Sequence, residues 1–264
     1  MDERPLPGFG VARVGSTVRK TAGAWSPTIH ALLAHLRGSG FGLAPEPLGI
    51  GEDGREVLGW IDGEPVSKPW PSILRTDQGV AGLAGALRRF HEVVRSFEPG
   101  RDAVWRAGAR PVGPGEVVCH GDFAPWNSLW RSDRLVGIVD WDMAEPGPPE
   151  KDLAFLALHL VPLRSDAQAR DVGFDREPSR DGRLELLCES YGAVDRGAVI
   201  EALFEHHAQD RERTKTWGAR GARAVGEVPR RWDARRDRRG RGVAQGARFG
   251  VACVAGPAVT IVVR

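Results

Sequence analysis

Apolar residues recur along this chain at two spacings, and the switch between them marks out its parts. Across residues 8–20, short apolar and polar stretches flank Gly15-Ser16, a pattern that predicts a β-hairpin. Ser26-Pro27 reads as a helix start, with Ser26 as the capping residue and Pro27 at the first helical position. Ile29, Leu32, Leu33 and Leu36 then form one stripe at helical spacing, ended by Gly38-Ser39-Gly40. Two strands, 45–50 and 55–61, are predicted around a Gly51-Glu52-Asp53-Gly54 turn. At Asp77 the spacing becomes helical for a long run, and Val80, Leu83, Leu87, Phe90 and Val94 predict one helix as far as Phe97. Beyond it, apolar runs at 116–119 and 135–139 read as buried strands, and helices are expected at 153–160, 184–191 and 198 to about 214.

Each of the two buried strands ends on polar residues capable of chemistry. The first leads into His120-Gly121-Asp122-Phe123-Ala124-Pro125-Trp126-Asn127, and the second runs Ile138-Val139-Asp140-Trp141-Asp142. An Asp, an Asn five positions later and a further Asp thirteen residues on at a strand end match the layout of a kinase catalytic loop and its metal-binding Asp. Phosphoryl transfer needs one carboxylate to orient and deprotonate the attacking hydroxyl, and oxygen ligands to hold magnesium against the nucleotide phosphates. Asp122 is the candidate base, and Asn127 and Asp140 are the candidate metal ligands. Phe123, Pro125 and Trp126 are apolar and would anchor the turn between them. Asp142 would share a face with Asp140 if the chain is extended there, and would then help to bind metal or substrate.

Together with Gly147-Pro148-Pro149-Glu150-Lys151-Asp152-Leu153-Ala154, these motifs closely resemble the aminoglycoside phosphotransferase and choline kinase-like family, over about residues 8–217. The resemblance implies an α+β, protein kinase-like fold of two lobes. A small β-rich nucleotide-binding lobe would span 1–62, and a larger helical lobe for catalysis and substrate 63–217. It also implies Mg2+ and ATP as cofactors, although nothing in the residues separates ATP from GTP. In such a fold the first hairpin covers the phosphates, and a cation on its later strand contacts them. Arg19 or Lys20 is that cation, and strand alternation sends the two to opposite faces. Gly8 and Gly10 are the only glycines of a shortened glycine-rich segment. Gly59 and Trp60 fall where the lobes join and where an adenine ring would meet backbone groups. His120 is implied to be structural, bonding the loop backbone, and Asp152 to cap its helix or bond the catalytic loop.

One departure stands out. Kinase-like folds hold the strand cation with a Glu on the helix predicted at 26–37, yet no acid lies between Trp25 and Gly42. The polar groups there are Thr28, His30, His35 and Arg37, and both histidines read as packed or solvated. Either another acid performs the task or the cation is held less rigidly.

Charge changes the picture at the other end of the chain. Residues 216–264 carry eleven Arg and three acids, a net of +8, so with +2 overall the first 215 residues are acidic at −6. An acidic body suits a cationic substrate, and Glu185, Glu189, Glu201, Glu205 and Asp210 are candidates to bind an amine. Residues 218–264 are rich in Arg and Gly and have no apolar periodicity, and read as disordered or as an out-of-frame translation. An RNA-binding arm is the rival reading, but no nucleic-acid partner is expected. The three cysteines form no paired motif. No membrane-spanning run and no signal-peptide core is found, so a cytoplasmic monomer is expected. The predicted activity is transfer of the γ-phosphoryl group of a nucleoside triphosphate to a hydroxyl of a small molecule, aminoglycoside-like or otherwise amine-bearing. The alternative is a kinase-fold nucleotide-binding or toxin-immunity protein with little or no turnover.

Overall fold

The computed structural model describes residues 3–6, 10–163 and 165–205. Gly8, Asp210 and the 218–264 tail lie outside the described residues. Five antiparallel strands form the first layer: β1 (Glu3–Pro5), β2 (Ala12–Val14), β3 (Thr17–Thr21), β4 (Pro47–Ile50) and β5 (Arg55–Gly59), in the order β1-β2-β3-β5-β4. β2 and β3 are the expected hairpin, closing at Gly15-Ser16 with Val14 opposite Thr17. β1, which pairs along β2, has no apolar alternation to announce it.

Helix α1 (Ser26–Gly38) connects β3 to β4 and buries Ile29, Leu32, Leu33 and Leu36 at 1% exposure or less. Each such side chain contributes about 1.5–3 kcal/mol on burial. Ser26 is not the cap: it is the first helical residue, and its hydroxyl accepts from the Gly23 N–H at 3.0 Å.

After the sheet the chain becomes helical around α2 (Asp77–Val94), whose Thr76 cap accepts from the Gly79 N–H. Val80, Leu83, Leu87 and Phe90 are completely buried. α2 packs against α3 (Glu150–Leu160) and, most extensively, α5 (Arg180–Tyr191), and a further helix covers 196–205. Two small sheets hold the loops between: β6 (Glu64–Pro65) and β9 (Arg134–Ile138) flank β8 (Ser128–Arg131), and β7 (Val117–Cys119) pairs with β10 (Glu145–Gly147). The short helix α4 (Asp166–Asp171) lacked an apolar stripe and was not foreseen. Glu185, Glu189, Glu201 and Glu205 are all exposed. No helix among the described residues is long and apolar enough to cross a membrane.

Arg183 staples the helical part together. It is 6% exposed, and its guanidinium donates to the carbonyls of Leu74 at 3.0 Å, Arg75 at 3.1 Å and Leu160 at 2.9 Å. Burial pulls its pKa down to about 10, so it is still charged at neutral pH. Arg183→Leu would leave these buried carbonyls unpaired, with an expected cost of about 3 kcal/mol. Urea unfolding should show the midpoint falling with an unchanged slope.

Candidate active site

The β8–β9 hairpin sets the spacing on which the site depends. β8 starts directly after Asn127, and its register puts Ser128 opposite Ile138. The Val139 N–H then donates to the Asn127 carbonyl at 2.9 Å, so Asn127 and Asp140 emerge side by side. The thirteen-residue separation between them is the length of one hairpin. Asp140 has φ +64° and ψ +59°, a left-handed conformation that costs an L-residue about 1–2 kcal/mol. Asp tolerates it better than most residues, and such strain persists where a side chain must be aimed. Its carboxylate is exposed, and among the described residues no group pairs with it.

Trp141–Met143 is a 3-10 turn and not extended chain. Asp142 takes the Lys20 ammonium, with Arg106 at 3.9 Å on its other oxygen, and the charge of Asp140 acts on the same ammonium. Arg19, on the opposite face of β3, ion-pairs with Asp53 at 3.2 Å. Lys20 and not Arg19 is the cation that meets the segment after Asp140. Burial alone would lower the Lys20 pKa, but the charges of Asp142, Glu56 and Asp140 outweigh it and hold the ammonium above its ordinary value.

The loop carrying Asp122 is held from beneath. Asp152, fully buried on α3, accepts from the His120 N–H at 2.6 Å and the Gly121 N–H at 2.9 Å. Its third partner is His91 Nε2 at 3.2 Å, and His91 Nδ1 lies 2.7 Å from the Tyr191 hydroxyl. Burial pushes the Asp152 carboxyl up, but His91, His120 and the loop N–H bring it below its ordinary value. Gly121 sits at φ +79°, and a Cβ there would overlap the Met143 carbonyl. The buried His120 ring accepts from the Asp122 N–H at Nδ1 (3.2 Å), which leaves Nε2 to donate to the Val139 carbonyl at 3.1 Å. One imidazole thus ties the loop to the strand end before Asp140, and burial keeps its pKa low.

Asn127 donates from Nδ2 to both the backbone and the side-chain oxygen of Asp122, each at 2.9 Å. Its own side-chain oxygen is the atom left for a ligand. Burial, then the Asp140 charge, pushes the Asp122 pKa up to about 7. A carboxylate poised there can both accept and release a proton near neutral pH. The oxygens of Asn127 and Asp140 are hard donors of the kind magnesium prefers.

At the junction after β5, the Gly59 N–H donates to the Glu46 carbonyl at 2.7 Å and the Trp60 N–H to the Ser16 carbonyl at 2.9 Å. Neither N–H is available to an adenine edge, so a contact there falls to carbonyls or to later backbone. The buried group His91, Cys119 and Asp152 has ligand atoms within 4.8 Å of one another. It is already satisfied internally, since Cys119 donates to the Pro148 carbonyl and His91 is shared by Asp152 and Tyr191.

Sequence reasoning did not find Glu56, which is buried 3.2 Å from Lys20, because it is presented by a strand distant in sequence. The Tyr191–His91–Asp152 chain was missed for the same reason.

A family model described as "Phosphotransferase enzyme family" matches residues 101–186, the stretch that contains Asp122, Asn127, Asp140 and Asp152. A trifolitoxin immunity protein of Rhizobium leguminosarum bv. trifolii is 35% identical over 219 residues, covering 79% of this chain and 82% of that protein. The chain belongs to the phosphotransferase enzyme family. Solved structures of family phosphotransferases share its fold. An aminoglycoside phosphotransferase of Streptomyces rimosus, in complex with ADP and streptomycin, is 23% identical with a TM-score of 0.51, over 76% of this chain and 90% of that one. A macrolide 2′-phosphotransferase of Brachybacterium faecium is 17% identical with a TM-score of 0.54, over 84% and 88%. The α+β, protein kinase-like fold that the resemblance implied is therefore the fold of this chain.

Proposed function

We propose that this family member transfers the γ-phosphoryl group of a magnesium-bound nucleoside triphosphate to a hydroxyl of a small molecule. The observation that carries the reading is the grouping of Asp122, Asn127, Asp140 and Lys20 from three separate segments, with Asn127 bonded to Asp122 and the charge of Asp140 acting on both Asp122 and Lys20. Asp122 would orient the acceptor hydroxyl and take its proton as the new P–O bond forms, and its pKa of about 7 suits that exchange. Lys20 would balance charge on the phosphate oxygens, with Glu56 and Asp142 beside it. Asn127 and Asp140 would hold the cation. Magnesium bound there supplies charge neutralisation and alignment of the phosphates. An amine-bearing acceptor fits the acidic body, and the streptomycin bound by the S. rimosus relative is of that type.

The 35% identical relative favours a second reading, in which the chain confers immunity to a toxin and turns over little nucleotide. Calorimetric titration of ATP and GTP, with and without magnesium, separates the two when coupled to an assay of nucleotide consumption across hydroxylated acceptors. The expected result is binding that requires magnesium and weakens more than about tenfold in Asp140→Asn. Absence of nucleotide binding by the folded full chain would end the phosphotransfer reading.

A further inference from the structure

Helix α1 carries no acid, so it cannot pair with Lys20 as a Glu-bearing helix would. The ion pair is made inside the sheet instead. β3 and β5 are neighbours, and their register sets Lys20 directly opposite Glu56. Cross-strand partners project from the same face, and Glu56 Oε2 lies 3.2 Å from Lys20 Nζ. The other oxygen, Oε1, lies 2.9 Å from His30 Nε2 on α1. Glu56 is completely buried, and among the described residues no well-aligned hydrogen-bond donor reaches either oxygen. A buried carboxylate in that position is strongly unfavourable unless cations stand close to it. Lys20 is the cation that does, and the His30 ring is the other polar group against it.

We propose that Glu56 is the positioning residue for Lys20, and that His30 is the link through which α1 bears on the pair. This rests on the reading of Lys20 as the phosphate contact. It has a consequence for regulation. With the acid on the helix, a shift of the helix breaks the ion pair and disarms the site. Here the pair follows from strand register, so it survives any movement of α1 that leaves the sheet intact, and only the His30 contact is lost. Asp142, the other ion-pair partner of Lys20, comes from the helical part of the chain. Lys20 can therefore release Asp142 to meet a phosphate while Glu56 keeps it aimed.

The test labels the full chain with acetic anhydride and reads each of its four lysines by mass spectrometry, with Lys68, Lys151 and Lys215 as internal references. Loss of the Glu56 charge should make the Lys20 amine easier to deprotonate, so Glu56→Gln should speed Lys20 labelling about fivefold or more. His30→Leu should change the Lys20 rate, and His30→Gln, which keeps a polar side chain facing Glu56, should restore it. In turnover, Glu56→Gln should lower kcat/KM for the nucleotide about tenfold with the acceptor KM unchanged, and should add nothing to the loss in Lys20→Met. Unchanged Lys20 labelling in variants with wild-type melting temperatures would overturn the proposal. If Glu56→Gln fails to fold, the His30 pair of variants decides. Failure of the wild-type chain to bind magnesium nucleotide would remove the phosphotransfer reading alone, because labelling still reports whether Glu56 and His30 fix Lys20.

Discussion

Asp122→Asn is expected to reduce phosphoryl transfer by about 10²–10⁴-fold, the contribution of a positioned general base. Affinity for magnesium nucleotide should stay within about twofold, because the proposed cation ligands are Asn127 and Asp140. The substitution keeps the side-chain shape and an oxygen to accept from Asn127 Nδ2, so the loop should hold. Stability should move the other way. Burial and the Asp140 charge raise the Asp122 pKa to about 7 in the metal-free protein, against about 3.9 when unfolded. Between those values the folded state holds a proton that the unfolded state has released, so this carboxylate costs stability as pH rises. An amide does not titrate. The melting temperature of Asp122→Asn should therefore gain on wild type steadily from about pH 4 to about pH 7 and level off above it. Transfer that persists within tenfold of wild type would remove Asp122 from the role of base, and a flat stability difference would show that its environment is not as described.

Asp152→Ala should be the most destabilising single change near the site, at about 3–5 kcal/mol. The carboxylate is completely buried and serves two loop N–H groups and His91 at once. Its removal leaves three donors without their acceptor. Because those N–H groups belong to His120 and Gly121, the carboxylate of Asp122 would lose its fixed position. Misplacement of about 1 Å can cost about 10² in rate, so activity should fall in the fraction that remains folded. Denaturant midpoints measure the first effect, and hydrogen exchange at the His120 and Gly121 amides measures the second. The Asp152 pKa is depressed, so the stability it provides is present above the unfolded value of about 3.9 and disappears as pH falls through the folded one. Wild type and Asp152→Ala should thus converge in acid. A midpoint change worth less than about 1 kcal/mol at neutral pH would contradict the assignment of Asp152 as the support of the loop.

The residues that carry local information were readable in advance. The apolar stripe of α1, the turn at Gly15-Ser16, the long face of α2 and the strand ends before His120 and Asp140 all depend on neighbours within a few positions. Hydrophobic period and turn chemistry report on that distance. The spacing of Asp122, Asn127 and Asp140 was legible for a related reason. It spans one loop and one hairpin, and a hairpin brings residues together by counting along the chain.

What the tertiary structure alone decided are the relations between segments far apart in sequence. Alternation stated that Arg19 and Lys20 point to opposite faces, but the choice between them depended on which face met Asp142, 122 residues away. The acid missing from α1 was present on β5, and only insertion of β5 beside β3 sets Glu56 opposite Lys20. From sequence Asp142 could be read only under the condition of extended chain, and the left-handed residue at Asp140 followed by a 3-10 turn removes that condition. Packing of α5 on α2 joined Tyr191 to His91 and so to Asp152, 61 residues from His91 along the chain. Local pattern specifies each element because the forces involved act within a turn or a strand. The partners of a buried charge are chosen by whichever surfaces close over it, and that choice exists only once the chain has folded.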